Sequence, residues 1–577
     1  MAIFGPMSRF LLRFFIVFLS FLGINPSARA QPVYRGKPVS EKEFWVDSVY
    51  NQLNEEERIG QLFMVAAYSG GKNFNQEAIE KLIKAHQVGG LIFMQGGPGR
   101  QAALTNRYQE MAQVPLLLAM DAEWGLGMRL DSVINFPKQM MLGASDDTAL
   151  AYALGMAVAY QCKRLGVHVN FAPVVDVNNN PANPVINMRS FGENKEKVVR
   201  MAIAYMKGMQ DYGVMACAKH FPGHGDTDVD SHKDLPVVNK SLAQLDTLEL
   251  YPFRKMIAAG VQSMMIAHLS IPALEKEPHV PTTLSRNTIT NLLKNKMGFN
   301  GLVFTDALDM KGVAKYFEPG EVDMRAFIAG NDVLLFSQDV PTAIAKIKAA
   351  IKNGKVSQKD LERSVKKILG AKYAAGLHDF KPIAVNNAVE DINQYTAALN
   401  ARIADEAVTL ISNGRKAPLT KTAKVLYIAV NGALNETAEQ KLRAAVGNLT
   451  VVPMYKGTTA AATLAKMKDT YDAVIVGVHR LNIYPANNYG LDSEQVRFLH
   501  AAALKDNIVM ALMGNAYALK FIHNAPNILV GYEDNQWTQD AVIKVMTGQL
   551  IPAGVLPVTP VLPANTRNTV LQRGVKQ

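Results

Sequence analysis

The chain has 577 residues, more than one hydrophobic core can usefully fill, so two domains are the expectation. Its 49% hydrophobic, 8% aromatic and 19% charged composition is that of a globular protein and excludes a disordered or fibrous chain. The net charge of +11 is spread without a Lys/Arg block, so no nucleic-acid arm is read from it; the excess implies a solvated basic surface or attraction to an acidic cell-wall polymer.

In chain order, Arg9 and Arg13 lead into an apolar run from Phe14 to Leu22, and Ala28-Arg29-Ala30 forms a small-x-small site before Gln31. This is the pattern of a secretory signal peptide over residues 1–30. A membrane anchor is the competing reading, but the run is shorter than the roughly 20 residues a spanning helix needs. No Cys near the cleavage point carries a lipid, and no later stretch is long and apolar enough to span a bilayer. The expected mature chain is therefore exported, periplasmic or secreted, with no transmembrane anchor. Cleavage removes three Arg and no acid, taking the charge from +11 to +8. Only Cys162 and Cys217 occur, so a disulfide framework is not expected, and both read as small buried hydrophobes.

Ser40-x-x-Glu43 opens a capping box, and Ser40 to Leu53 reads as a helix ahead of the first domain. From about residue 60, apolar runs of strand length alternate with amphipathic stretches. The runs are Gly60–Ala67, Gly90–Met94, Leu116–Met120, Val167–Pro173, Val214–Lys219, Ser263–Ala267, Leu302–Thr305 and Asp332–Phe336. Eight such units predict an α/β fold, a (β/α)8 TIM-type barrel over residues 31–377. The stretch from His378 to Asn387 breaks the pattern, giving a linker over residues 378–395. Residues 396–577 then carry runs at Val425–Val430, Thr450–Pro453, Ala473–Val478, Ile508–Met513 and Ile528–Val530, which predict a smaller, doubly wound α/β domain. It has no Gly-rich phosphate loop, so no nucleotide site is expected.

In a barrel enzyme the chemistry sits at the carboxyl ends of the strands. Asp121-Ala122-Glu123 follows the third run, Asp176 and a loop to Arg189 the fourth, Lys219-His220 closes the fifth, His268 follows the sixth and Asp306 the seventh. Any one of these can be a satisfied polar cap on a strand; their convergence on one face argues for a site. The densest segment runs from Lys219 to His232, with Gly and Pro demanding a loop. Asp230 and His232 are two apart, so a bent loop lets the carboxylate hold one ring nitrogen and aim the other at a substrate, raising its basicity. The same segment holds three His and three Asp, ligand types for zinc, but no helix-borne His-x-x-x-His with a supporting Glu.

The segment Lys219 to His232 closely resembles the signature of the bacterial β-N-acetylhexosaminidases of glycoside hydrolase family 3. Further matches are Asp121-x-Glu123 with Arg129, the strand Asn170 to Val177, Arg189-Ser190-Phe191-Gly192 and Phe304 to Met310. The resemblance implies Asp306 as a nucleophile forming a covalent glycosyl-enzyme, Asp230 and His232 as an acid/base dyad, and Asp121, Arg129, Arg189, Lys219 and His220 as the grip on the terminal sugar. It implies a retaining exo-glycosidase releasing β-linked N-acetylglucosamine, in peptidoglycan turnover, with no cofactor and no metal; a β-glucosidase, a zinc hydrolase and a non-catalytic glycan-binding protein are the alternatives. A neutral imidazole base repels an anionic acceptor less than a carboxylate does, which leaves phosphorolysis open.

After Glu123 the chain departs from the family pattern: Trp124, Leu126 and Met128 stand where Gly, Arg and a polar residue are expected. That leaves the leaving-group side open, with Trp124 either a stacking platform or a core residue. Gly531 to Asn535 and Gly554 to Val558 resemble the second domain of two-domain members, in some of which that domain supplies an acid/base. With Asp230 and His232 on the barrel, Glu533 reads as structural.

Overall fold

The computed structural model describes residues 40–231, 234–412, 419–468 and 470–561. The signal-peptide segment lies outside them, as does His232. The chain divides into a unit of residues 1–44 and one of residues 45–577. In the first, Ser40 and Glu43 form the expected box, with Glu43 N donating to Ser40 Oγ at 3.2 Å and Ser40 N to Glu43 Oε2 at 3.0 Å. That box opens the helix Glu41–Gln52. Everything below concerns the second unit.

All eight runs of the first domain hold strands: β1 Phe63–Ala67, β2 Gly90–Phe93, β3 Leu117–Met120, β4 Val169–Asn170, β5 Met215–Phe221, β6 Ser263–Ile266, β7 Leu302–Thr305 and β8 Leu334–Leu335. They pair in parallel in the order β7-β6-β5-β4-β3-β2-β1-β8. A parallel bridge between Phe304 and Val333 joins β7 to β8 and completes the barrel. The strands are buried on both faces, which is why they read as continuous apolar runs rather than alternating ones. β4 is only two residues long because the chain beyond Asn170 leaves the ladder: Pro173 has no N–H to donate, and Val174 meets Lys219 in an isolated bridge. Of these residues Phe171 lines the cavity described below.

Residues 378–395 are strapped to the barrel flank. Ile383 exchanges two hydrogen bonds with the Asn106 amide, and Arg164 donates to Ala384 O and Asn386 O while pairing with Asp391 at 2.8 Å. The second sheet comprises β9 Thr409–Ser412, β10 Lys424–Val430, β11 Asn448–Met454, β12 Ala473–Val478, β13 Ile508–Leu512 and β14 Asn527–Val530. Its order is β11-β10-β12-β13-β14-β9. β10 to β14 are parallel, and the order reverses at β10, the doubly wound arrangement expected. The edge strand β9, antiparallel to β14, is an addition to the five runs read from the sequence. Cys162 and Cys217 are buried free thiols, as expected, both pushed up to about 12 by burial.

The carboxyl ends of the second sheet meet the carboxyl-end loops of the barrel. Lys138 N, after β3, donates to Glu533 Oε1 at 2.8 Å; Asn178, after β4, donates to the Tyr517 hydroxyl at 2.8 Å; Asn515 Nδ2 donates to Asn187 Oδ1 at 2.7 Å.

Candidate active site

A cavity of about 470 Å3 opens at the carboxyl ends of the barrel strands. Its wall includes Asp121, Arg129, Arg189, Lys219, His220, Asp230 and Asp306, so every described residue to which the resemblance gives a role reaches one hollow, while Asp176 and His268, also read from the strand ends, do not line it. The volume is that of a small-molecule site.

Its floor is an ion network. Arg129 Nη2 donates to Asp121 Oδ2 at 2.6 Å, and Lys219 Nζ stands 2.9 Å from Asp121 Oδ1 and 2.7 Å from Glu123 Oε1. Arg189 grips Glu123 with two parallel bonds, Nε to Oε2 at 2.9 Å and Nη2 to Oε1 at 2.7 Å. Burial alone would push the Glu123 carboxyl up, but Arg189 and Lys219 outweigh it and hold it at about 2. Burial likewise opposes ionisation of Asp121, and Lys219 and Arg129 win there too, leaving it well below the usual range. Burial works against the Lys219 ammonium, and the two carboxylates raise it. The charges are fixed at neutral pH, so the floor is a preorganised set of donors and acceptors rather than a titrating one.

Behind it, Asp176 orders two histidines. Its carboxylate accepts the His220 backbone N–H, the His224 backbone N–H at 2.7 Å and the His220 ring at Nδ1, also 2.7 Å. Burial pushes the Asp176 carboxyl up, and the His220 and His224 rings with the His224 amide bring it below its usual value. The His220 Nε2 lies 3.2 Å from Arg189 Nη2, which can only donate. That network assigns the proton to Nδ1 and leaves Nε2 as an acceptor.

The loop from Phe221 to Ser231 is held by its glycines and by Asn183. A side chain at Gly225 would place its Cβ 1.8 Å from Val177 O, so no other residue fits there. Asn183 Nδ2 donates to His224 O and Gly225 O at 2.8 and 3.0 Å. Further along, Asp234 N donates to Asp230 O at 3.1 Å, and the Asp234 carboxylate takes Lys315 Nζ at 2.5 Å and the Tyr316 hydroxyl at 3.3 Å. Asp230 therefore sits on a loop tethered from both ends. His232 belongs to the same loop but falls outside the described residues.

Asp306 follows β7 directly; its N–H donates to Ile266 O at 3.0 Å, and its Oδ1 accepts from Ala307 N at 2.8 Å. His268 is buried outside the cavity wall, its ring nitrogens 2.7 Å from Thr283 Oγ1 and 2.8 Å from Ala307 O, where it braces the turn carrying Asp306. Among the described residues no group of three or more His, Cys, Asp or Glu comes together as a metal site would need.

The structure adds residues that sequence reasoning did not assign. Glu123 was visible only as part of a motif, and Asp176 only as a polar residue after a strand; their bonding partners supply the roles. Ile483 and Tyr484 reach the cavity from the second domain, and nothing in their local sequence points there.

A model of the glycosyl hydrolase family 3 N-terminal domain matches residues 55–371, more than half of the chain. A β-hexosaminidase A of Pseudoalteromonas piscicida is 34% identical over 387 residues, 61% of this chain and 64% of that protein. A β-N-acetylglucosaminidase/β-glucosidase of Cellulomonas fimi is 29% identical over 376 residues, 64% of this chain and 66% of that protein. The matches thus span just under two thirds of the length of these two relatives. Among solved structures, a glycoside hydrolase family 3 β-N-acetylglucosaminidase from Paenibacillus sp. str. FPU-7 superposes with a TM-score of 0.73 at 30% identity, covering 89% of this chain and 100% of that one.

Proposed function

Since the chain belongs to glycosyl hydrolase family 3, we propose that it is a retaining exo-β-N-acetylhexosaminidase releasing terminal β-linked N-acetylglucosamine. The observation that supports this best is the convergence on one cavity of a carboxylate at the end of β7, a carboxylate on the loop after β5, and a charged floor able to grip a polar ring. The β-hexosaminidase and β-N-acetylglucosaminidase names of relatives support the choice of sugar.

In the proposed chemistry an Asp306 oxygen attacks the anomeric carbon as the bond to the leaving oxygen breaks, and His232, oriented by Asp230, gives that oxygen its proton. Water then attacks the same carbon, His232 takes a proton from it, and Asp306 departs as carboxylate. The fixed floor of Asp121, Arg129, Arg189, Lys219 and His220 binds the hydroxyls and the acetamido group. Export to a compartment where cell-wall fragments are the substrate rests on residues 1–30, and sequencing of the processed N-terminus, expected at Gln31, checks it.

The deciding experiment is mass spectrometry after incubation with a 2-acetamido sugar carrying a good leaving group. A sugar adduct on Asp306 that accumulates in His232→Ala and is absent in Asp306→Ala is expected. Absence of turnover and adduct in every form would overturn the reading. The β-glucosidase alternative keeps a place because the Cellulomonas fimi relative carries both names; faster release from a chromogenic glucoside than from the N-acetylglucosaminide would favour it. A sugar 1-phosphate formed in phosphate buffer would turn hydrolysis into phosphorolysis, and loss of activity on chelation would favour a zinc hydrolase.

A further inference from the structure

We propose that a second cavity, at the amino ends of β7 and β8 and so at the barrel end opposite the candidate active site, binds a phosphate-class oxyanion, either free or as the monoester of a small molecule.

The cavity holds about 250 Å3 and is lined by Arg286, Lys294, Arg363 and Lys367, with Asp360 the one acid in its wall. A further carboxylate, Asp332, lies fully buried behind it, just ahead of β8. Four cations thus face two carboxylates, and both carboxylates are committed elsewhere. Asp332 Oδ1 accepts from Lys294 Nζ at 3.1 Å and Ser364 Oγ at 2.9 Å, while Oδ2 accepts from Val303 N at 3.0 Å and lies 3.5 Å from Lys367 Nζ. Asp360 Oδ2 closes the capping box with Ser357, and Oδ1 takes Arg363 Nη2 at 2.7 Å. The two positive charges left over match a dianion.

The Lys294 side chain is only 13% exposed, and among the described residues its ammonium bonds to Asp332 alone, leaving donors for a ligand. Burial pushes that ammonium below its usual value; Asp332 opposes the shift, and Lys367 and Arg363 add to it. An anion seated between these groups relieves the strain on all of them. The guanidinium of Arg363 and the ammonium groups are the donors phosphate recognition uses.

The frame around the charges is built. Arg286, Thr290 and Lys294 are four apart along the π-helix Asn287–Lys296 and share one side of it, in a widened coil that is rare and is found at functional sites. Thr290 Oγ1 donates to Ala329 O at 2.8 Å and Arg286 Nη1 to Ile328 O at 3.3 Å, tying this helix to the turn before β8. That turn passes at Gly330, with φ of 115°, where a Cβ would stand 2.5 Å from Thr290 Oγ1. Phe299, Phe327 and Val356 supply an apolar side, and the cavity has room for more than the oxyanion itself.

The test is calorimetric titration of the full chain with inorganic phosphate and with glycerol 3-phosphate, above neutral pH and at constant ionic strength, with glycerol and acetate as controls. Both phosphates should bind, acetate more weakly and glycerol not at all. The exposed pair Arg286→Ala with Arg363→Ala should weaken binding about tenfold, as loss of charge-assisted hydrogen bonds implies, and Lys294→Met should do so by at least as much. Since Lys294→Met also strips Asp332 of a partner, the arginine double variant carries the test if that protein fails to fold. Tighter binding of glycerol 3-phosphate assigns the site to a monoester, and tighter binding of inorganic phosphate assigns it to the free ion. No binding of either phosphate, acetate binding as tightly as phosphate, or an affinity unchanged in the double variant, which would place the anion in the other cavity, overturns the proposal.

Discussion

The Lys219 ammonium stands 2.7 Å from Oε1 of Glu123, with the two side chains only 2% and 1% exposed. It is also 2.9 Å from Asp121 Oδ1, so one cation separates two carboxylates. Lys219→Met would take away the cation they share, leaving Asp121 to Arg129 and Glu123 to Arg189, and breaking a buried ion pair typically costs about 3–5 kcal/mol. Denaturant unfolding should register a loss of that order, and kcat/KM should fall by more than the stability loss explains. An unfolding midpoint equal to wild type would mean the network is not what holds the floor.

Acid should destabilise the fold in two stages. His168 and His224 are held near 4 rather than 6.5, chiefly by desolvation of their rings. Between those values the unfolded chain takes up protons that the folded chain refuses, so stability falls as pH drops from 6.5 to 4. Glu123 acts lower: held at about 2 against 4.5, its contribution is full above 4.5 and is lost as pH falls through 2. A urea midpoint that stays level from pH 7 to pH 5 would contradict the first stage.

Lys372 gives the opposite window. Its ammonium is buried, donates to Gln61 Oε1 at 2.6 Å, and is pushed down by burial to about 7 from 10.5. The unfolded chain keeps that proton between pH 7 and 10.5, so stability should rise with pH across the window. Lys372→Met removes the desolvation penalty but leaves Gln61 without its donor, a net gain on the order of 2 kcal/mol at pH 7. Thermal melts at pH 7 and pH 10 check it: the gain should shrink at the higher pH, and a lower Tm at both would refute it.

Lys315 tethers the loop that carries Asp230, through Asp234. Lys315→Ala should lower kcat while leaving KM near wild type, because the floor that binds sugar stays intact. Steady-state kinetics separate the two, and a rise in KM alone would place the tether on binding instead.

What was legible in the sequence follows from where information is local. The eight barrel strands are buried on both faces and announce themselves as apolar runs, and the site residues stand directly after them, as Asp121 does after β3 and Asp306 after β7. β9 was missed because its four residues follow the helix Thr396–Ala407 with no turn signal between. The importance of Glu123 comes from Arg189 and Lys219, far along the chain, and that of Tyr484 from a docking between domains. Such relationships have no local pattern to read.

Glu533 tests the division of labour between the domains. It follows β14, accepts from Lys138 N at 2.8 Å and lies 3.5 Å from Lys138 Nζ, and the cavity wall does not include it. A residue so placed ties the second domain to the loop that carries Trp124. Glu533→Gln should therefore keep kcat on an activated glycoside close to wild type and lower Tm. A general acid behaves differently: its loss costs about 10²–10⁴-fold on substrates with poor leaving groups and little on good ones. That leaving-group dependence in Glu533→Gln, with none in His232→Ala, would move the acid/base from the barrel loop to the second domain.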